Sequence, residues 1–358
     1  MTGLQILRVD GLLTVQDLGR PGHLAEGISC GGAMDRLALI DAAALLSSDT
    51  ILPAIEMAGA GGVFSVTQPM RIALTGAAMT AALDGSPIAW HGVHLVQPGQ
   101  KLRIGGTQTG VYGYMTPAGG LQTMVWLDSQ ATHLSIDVGG PLANGETLLC
   151  GPDPAPERPA RIINASHRFA GGTVRVMDGP QTSLFDDHVL STFYKTTFTR
   201  APRGNRQGVQ LDAKQRFTSS HASSLASDLI GPGDLQMTGD GLPYVLMAEC
   251  QTMGGYPRIG TVIAADLPII AQAAPGTLVR FQRLPVEKAD ALHWNVPCLL
   301  RAAATMCRDM IRDPRTIADL LSYQLISGVS RGDELEDVSL PVKGSTKAYP
   351  LRSGETIC

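Results

Sequence analysis

Apolar and polar positions alternate over residues 4–9 and 12–15, with Asp10-Gly11 between them, and this spacing predicts a β-hairpin. The period then changes. Met34, Leu37, Ala38, Ala42 and Leu45 fall on one helical face, which predicts a helix over about 35–46. Asp35 suits the start of that helix, as a cap or first-turn carboxylate. Short apolar runs follow at 63–66, 70–74, 79–83, 88–90, 94–96, 102–104 and 111–115. Asp84-Gly85, Pro98-Gly99 and Gly105-Gly106 punctuate them at the spacing of an antiparallel barrel or sandwich.

Pro152, Pro154, Pro156 and Pro159 crowd the next stretch, which cannot lie within a central strand and reads as a linker. A second β-rich unit opens at 173–177. Asp178-Gly179-Pro180-Gln181 turns it into a helix with Phe185, Val189 and Phe193 on one face. Further strands are predicted at 208–211, 235–238, 244–248, 260–263 and 278–281. Beyond Leu284 the residues favour helix: Leu299, Ala303, Cys307 and Met310 recur at near-helical spacing. Asp313-Pro314 then signals a new helix start ahead of Ile317, Leu320, Leu321 and Leu325. The organisation expected is a first β-unit over 1–160, a second over 161–284 and a helical extension over 285–358. That extension packs on the β-units or makes an oligomer contact.

Composition narrows the class. The 358 residues are 44% hydrophobic and 17% charged, ordinary for a globular chain and unlike a disordered one. A formal charge of −4 leaves no basic footprint for nucleic acid. The six cysteines include no CxxC and no histidine at ligand spacing, so reduced structural thiols and no metal are expected. The N-terminus lacks an export signal and no run suits a bilayer span, which predicts a cytoplasmic protein.

Two stretches carry the candidate chemistry. In Thr14-Val15-Gln16-Asp17-Leu18-Gly19-Arg20-Pro21-Gly22 and in Gln251-Thr252-Met253-Gly254-Gly255-Tyr256-Pro257-Arg258, apolar runs stop at polar side chains, then at glycine, proline and an arginine. Such corners deliver polar groups to a loop, and the two are expected to converge on one cleft. Gly254 and Gly255 would permit positive φ or close backbone approach to a ligand. No GxSxG, HExxH, phosphate-cradling loop or Met-Lys biotin-attachment motif is present.

Together with Gly32-Ala33-Met34-Asp35, Ile55-Glu56, Ala118-Gly119-Gly120 and Gly179-Pro180-Gln181 followed by Phe185, these motifs stand in the order of a known family. The chain resembles the biotin-dependent carboxyltransferase, or allophanate hydrolase subunit 2, family over about residues 4–284. That family includes KipA proteins and the C-type subunit of bacterial 5-oxoprolinase. The resemblance implies two tandem cyclophilin-like β-barrels with the helical extension added. It implies a KipI-like (B-type) partner and, in 5-oxoprolinase, a LamB/YcsF-type (A-type) third component. No cofactor is bound covalently on this reading; ATP acts at the level of the complex, or carboxybiotin arrives on a separate carrier. The substrate class is a small cyclic amide or urea.

Within that reading, Asp17, Asp35 and Glu249 are the candidates to polarise an amide N–H or move a proton. Gln16, Arg20, Glu56, Arg206, Gln251, Thr252, Gly254, Gly255, Tyr256 and Arg258 are the candidates to bind substrate. For each, a satisfied polar group in a barrel corner is the competing account. The chain also departs from the family pattern, with Asn205 for an aspartate, Gln210 for an arginine and Gln130 for an arginine. A non-catalytic, KipA-like module that binds and controls its partner is the alternative these neutral residues favour.

Overall fold

The structure, a computed structural model, describes residues 2–219, 225–292 and 295–310. The first unit contains β1 (Gly3–Val9), β2 (Leu12–Gln16), α1 (Arg36–Leu46), β3 (Ala54–Ala58), β4 (Ala60–Val66), β5 (Met70–Gly76), β6 (Met79–Leu83), β7 (Ser86–Pro87), β8 (Gly92–Val96), β9 (Leu102–Thr107), β10 (Tyr112–Pro117), β11 (Thr147–Leu149) and β12 (Arg161–Ile163). One sheet runs β11-β1-β4-β9-β6-β7 and the other begins β2-β3-β10-β5-β8-β12. Alternate residues of both sheets, among them Ile6, Phe64 and Ile104 from one and Leu13, Met57 and Met115 from the other, share one apolar core. The predicted hairpin over 4–15 does not form: β1 pairs with β4 and β11, whereas β2 pairs with β3. Gly11 is instead the point where the chain changes sheets, so tightly that an added Cβ would lie 2.4 Å from the Ala60 carbonyl oxygen.

The second unit contains β13 (Gly172–Met177), α2 (Asp187–Lys195), β14 (Thr197–Gly204), β15 (Gly208–Asp212), β16 (Asp228–Leu229), β17 (Asp234–Met237), β18 (Pro243–Leu246), β19 (Met253–Gly254), β20 (Arg258–Val262), α3 (Leu267–Gln272) and β21 (Leu278–Arg283). Seven of its strands close a barrel in the order β13-β20-β17-β18-β15-β14-β21. Phe193 of α2 fills it beside Phe198, Phe217 and Phe281, with ring centroids 5.0–5.3 Å away. Closure leaves these strands no open edge within the barrel.

α1 is buried all round rather than on one face, because it lies between sheet, barrel and tail. Asp35 caps it, accepting from the Ala38 amide at 3.3 Å. Beyond the barrel come α4 (Val286–Asp290), α5 (Val296–Met306) and β22 (Cys307–Asp309). α5 packs through Leu299 and Ala303 into the cluster that holds Ile40 and Leu45 of α1. β22 then pairs with β12, so the tail completes a sheet of the first unit. The predicted helix after Asp313-Pro314 lies outside the described residues.

Gln272 staples the two units. Its Oε1 accepts from the amides of Val111 and Tyr112 at 2.9 and 3.0 Å, and its Nε2 donates to the Tyr112 carbonyl and to Asp35 at 2.9 and 2.8 Å. No described helix is long and apolar enough to cross a membrane. Cys30, Cys150, Cys250 and Cys307 are free, as expected of reduced structural thiols, but Cys298 is disulfide-bonded and departs from that expectation.

Candidate functional site

The turn between β14 and β15 is set by Asn205, whose Oδ1 accepts from the amides of Gln207 and Gly208 at 2.8 and 3.3 Å. The turn carries Arg206, 5% exposed, into the junction between the units. Its Nε donates to Glu249 at 2.5 Å, its Nη2 donates to the Gly32 carbonyl at 2.6 Å, and its Nη1 donates to Glu56. The other oxygen of Glu56 accepts from the Tyr114 hydroxyl at 2.6 Å and the Met34 amide at 2.8 Å. Glu249 is held more loosely on its far side, by the Leu134 amide at 3.1 Å and the Ser135 hydroxyl at 3.4 Å. Burial works against the Arg206 charge, but Glu56 and Glu249 outweigh it and hold its pKa above the ordinary arginine value. Burial first, and the Glu56 carboxylate second, push Tyr114 well above an ordinary tyrosine, so it remains a donor.

This cluster forms part of the wall of a cavity of about 550 Å³, which Glu56, Arg206, Glu249, Ser135, Tyr112 and Arg200 all line. Groups of both charges thus face one space, with acceptors for N–H donors and donors for a carbonyl or carboxylate.

The predicted residues divide between this cavity and its surroundings. Glu56, Arg206 and Glu249 meet at it. Asp35 does not: it is wholly buried, caps α1 and is ion-paired to Arg168 at 2.7 Å, within a network that includes Asp41 and Gln272. Its carboxylate is committed to holding the helix and the interdomain segment. Asp17 likewise accepts from the Gly19 amide, the Ser129 hydroxyl and the Gln130 amide at 2.6–2.7 Å, which fixes a loop. Gln16 and Arg20 lie beneath that loop. Gln16 Nε2 donates to Thr14 and Thr132 at 3.0 and 3.1 Å, and Arg20 donates to the Ala131 carbonyl and lies over the Trp126 ring. Gln16 Oε1, Arg20 Nη1 and His133 Nδ1 are buried without partners.

The two corners do not meet at this cavity: only Thr14 of the first lines it, and the approach toward the second comes from the loop that follows the first corner. The Gly31 amide donates to the Ala248 carbonyl at 2.9 Å, and a Cβ at Gly27 would lie 4.0 Å from Thr252 Oγ1. Arg258, however, turns into its own unit, where it donates to Asp228, Asp234, Gln181 and the Leu229 carbonyl. Gln251 and Tyr256 are exposed. Gly254 and Gly255 are outside the positive-φ set; Gly254 instead packs so closely that an added Cβ would lie 2.6 Å from Gln236 Nε2. None of these six lines the cavity.

Arg200, Tyr112, Tyr114 and Ser135 were not singled out from the sequence. The two tyrosines sit at alternate positions of a predicted strand, a signal for one face. Arg200 belongs to β14, which ends in Pro202, Arg203 and Gly204 and does not read as a strand. Of the neutral substitutions, Asn205 lines the cavity, whereas Gln210 does not and lies 3.4 Å from Asp212. Gln130 accepts from Thr123 and braces its loop.

The family model of the carboxyltransferase domain, subdomain A and B, matches residues 26–283. The C-type subunit of 5-oxoprolinase from Escherichia coli (strain K12) is 32% identical over 291 residues, covering 80% of this chain and 93% of that protein. Urea amidolyase of Saccharomyces cerevisiae is 26% identical over 316 residues, covering 81% of this chain but 17% of that protein. The crystal structure of the K. lactis urea amidolyase superposes with a TM-score of 0.76 over 85% of this chain and 20% of that one, and at 21% identity this is a likeness of fold.

Proposed function

The chain belongs to the carboxyltransferase domain family that joins subdomains A and B, and from that premise we propose that it is one subunit of a 5-oxoprolinase-like or carboxyltransferase complex acting on a small cyclic amide or urea. Its relatives are components of such enzymes. The observation that carries the reading is the Glu56–Arg206–Glu249 cluster at an interdomain cavity of about 550 Å³. A planar amide there presents an N–H to Glu249 and a carbonyl to the Ser135 hydroxyl. Arg206 keeps Glu249 aimed. The partner on this reading is a KipI-like protein, joined in a 5-oxoprolinase by a LamB/YcsF-type component. ATP hydrolysis is a property of the complex; in a carboxyltransferase, a separate carrier brings carboxybiotin.

The test is reconstitution with those partners. We expect 5-oxoproline-dependent ATP hydrolysis or urea-dependent carboxyl transfer from the complex, and neither from the isolated chain. Glu249→Gln should lower kcat by about 10²-fold or more while partner binding persists. An undiminished kcat in that variant would remove Glu249 from the chemistry. One observation favours the KipA-like alternative: Asn205 stands where the family has an aspartate, and its oxygen is occupied by its own turn. A wild-type chain that binds the KipI-like partner tightly, yet gives no turnover in the complete complex, would support that reading instead.

A further inference from the structure

Two arginines line the cavity, and only one of them is paired with carboxylates. Arg206 lies between two carboxylates. Arg200, 6% exposed, has none: its Nη1 donates to the carbonyls of Ala201 and Pro202 at 2.5 and 3.1 Å, its Nε is buried without a partner, and no acidic side chain pairs with it among the described residues. Gly204 leaves the guanidinium room, since a Cβ there would lie 2.5 Å from Arg200 Nη2. Burial lowers the Arg200 pKa, yet an arginine keeps its proton in the physiological range. A buried cation without a counter-charge is unfavourable unless something else supplies the anion.

We propose that Arg200 is a receptor for a ligand carboxylate, so that the cavity takes a small planar amide bearing a carboxylate rather than a neutral one. The amide end faces Glu249 and Ser135; the carboxylate end faces Arg200. The amide half of this assignment rests on the function proposed above, whereas the anion half rests on Arg200 alone. A lactam carboxylate and an N-carboxylated urea share this chemistry.

Calorimetric titration of the full chain, alone and with its partner proteins, tests the idea with 5-oxoproline against its neutral carboxamide, and allophanate against urea. The wild type should prefer at least one carboxylate by about 10- to 100-fold, as expected of charge-assisted hydrogen bonds. Arg200→Gln should erase that preference while binding the neutral partner within about twofold. Arg203→Gln, at an exposed arginine of the same strand, should change neither. Unfolding of Arg200→Gln without ligand should occur at the wild-type temperature or above, which separates lost recognition from lost folding. Preference retained in Arg200→Gln, or a wild type that binds only the neutral members, overturns the proposal and leaves the amide reading standing. A preference that depends on Arg200 but accompanies no turnover and no Glu249 effect upholds the anion receptor and removes the proposed reaction. No binding by any of the four sinks both.

Discussion

Arg206 is the sole cation paired with Glu56 and Glu249 among the described residues, and all three are at most 5% exposed. Arg206→Met should therefore destabilise the chain by about 3–5 kcal/mol, because two buried carboxylates lose their counter-charge. Denaturant midpoints measure this; a loss below about 1 kcal/mol would mean that water reaches the carboxylates. His133 gives a pH dependence. Burial lowers its pKa below 6.5, with Glu249 opposing and Arg20 and Arg206 reinforcing that shift, so the unfolded chain takes up the proton first. Its contribution to stability is complete above about 6.5 and is lost as the pH falls toward the folded value. His91 and His94 shift in the same direction, so His133→Asn should flatten only part of the acid slope in Tm. At this scale the sequence made the residue types legible but not their meeting. Glu56, Arg206 and Glu249 stood out individually, yet Glu56 and Arg206 are 150 positions apart and no local pattern joins them.

Loops and turns decide whether those residues meet. Gly32 has φ +83° where its loop crosses the one containing Gly19, and a Cβ there would lie 2.6 Å from the Gly19 amide nitrogen. Its carbonyl also accepts from Arg206. Gly32→Ala should cost about 1–3 kcal/mol from backbone strain and weaken ligand binding at the cavity, a pairing that Tm and titration read separately. Gln272→Ala should cost roughly 2 kcal/mol or more, since it strips the buried Tyr112 amide and the part-buried Val111 amide of their acceptor and Asp35 of a donor. Amide exchange at Val111 and Tyr112 should quicken with it. Periodicity made most strands of both units legible, because each has one face on a core. It could not read the early hairpin correctly: alternation reports burial on one face and is silent about which strand lies alongside. It also missed β14, where Arg200 occupies an inward position that hydrophobicity alone would give to an apolar residue.

For the molecule as a whole, the units share one continuous apolar cluster that runs from Ala33 and Tyr112 into Val174 and Phe281 of the barrel. They are therefore expected to unfold as one. The tail belongs to that cooperative body. A chain ending at Leu284 would uncover α1 and the edge of β12, and should show a lower Tm and self-association by size-exclusion chromatography. A truncated chain that stays monomeric with unchanged Tm would place the tail outside the folding unit. Composition and helical spacing made a helical extension legible, but not β22, which takes Cys307 out of the expected helix, since three residues are too few for any period to register. That strand also fixes an order of assembly. β22 is the neighbour of β12, yet a ribosome making about 5–20 residues per second delivers it on the order of ten seconds later. The barrel emerges in the interval. Throughout it, the first-made sheet presents bare amides and carbonyls to whatever nascent strand or chaperone is nearby, until the late-made residues occupy that edge.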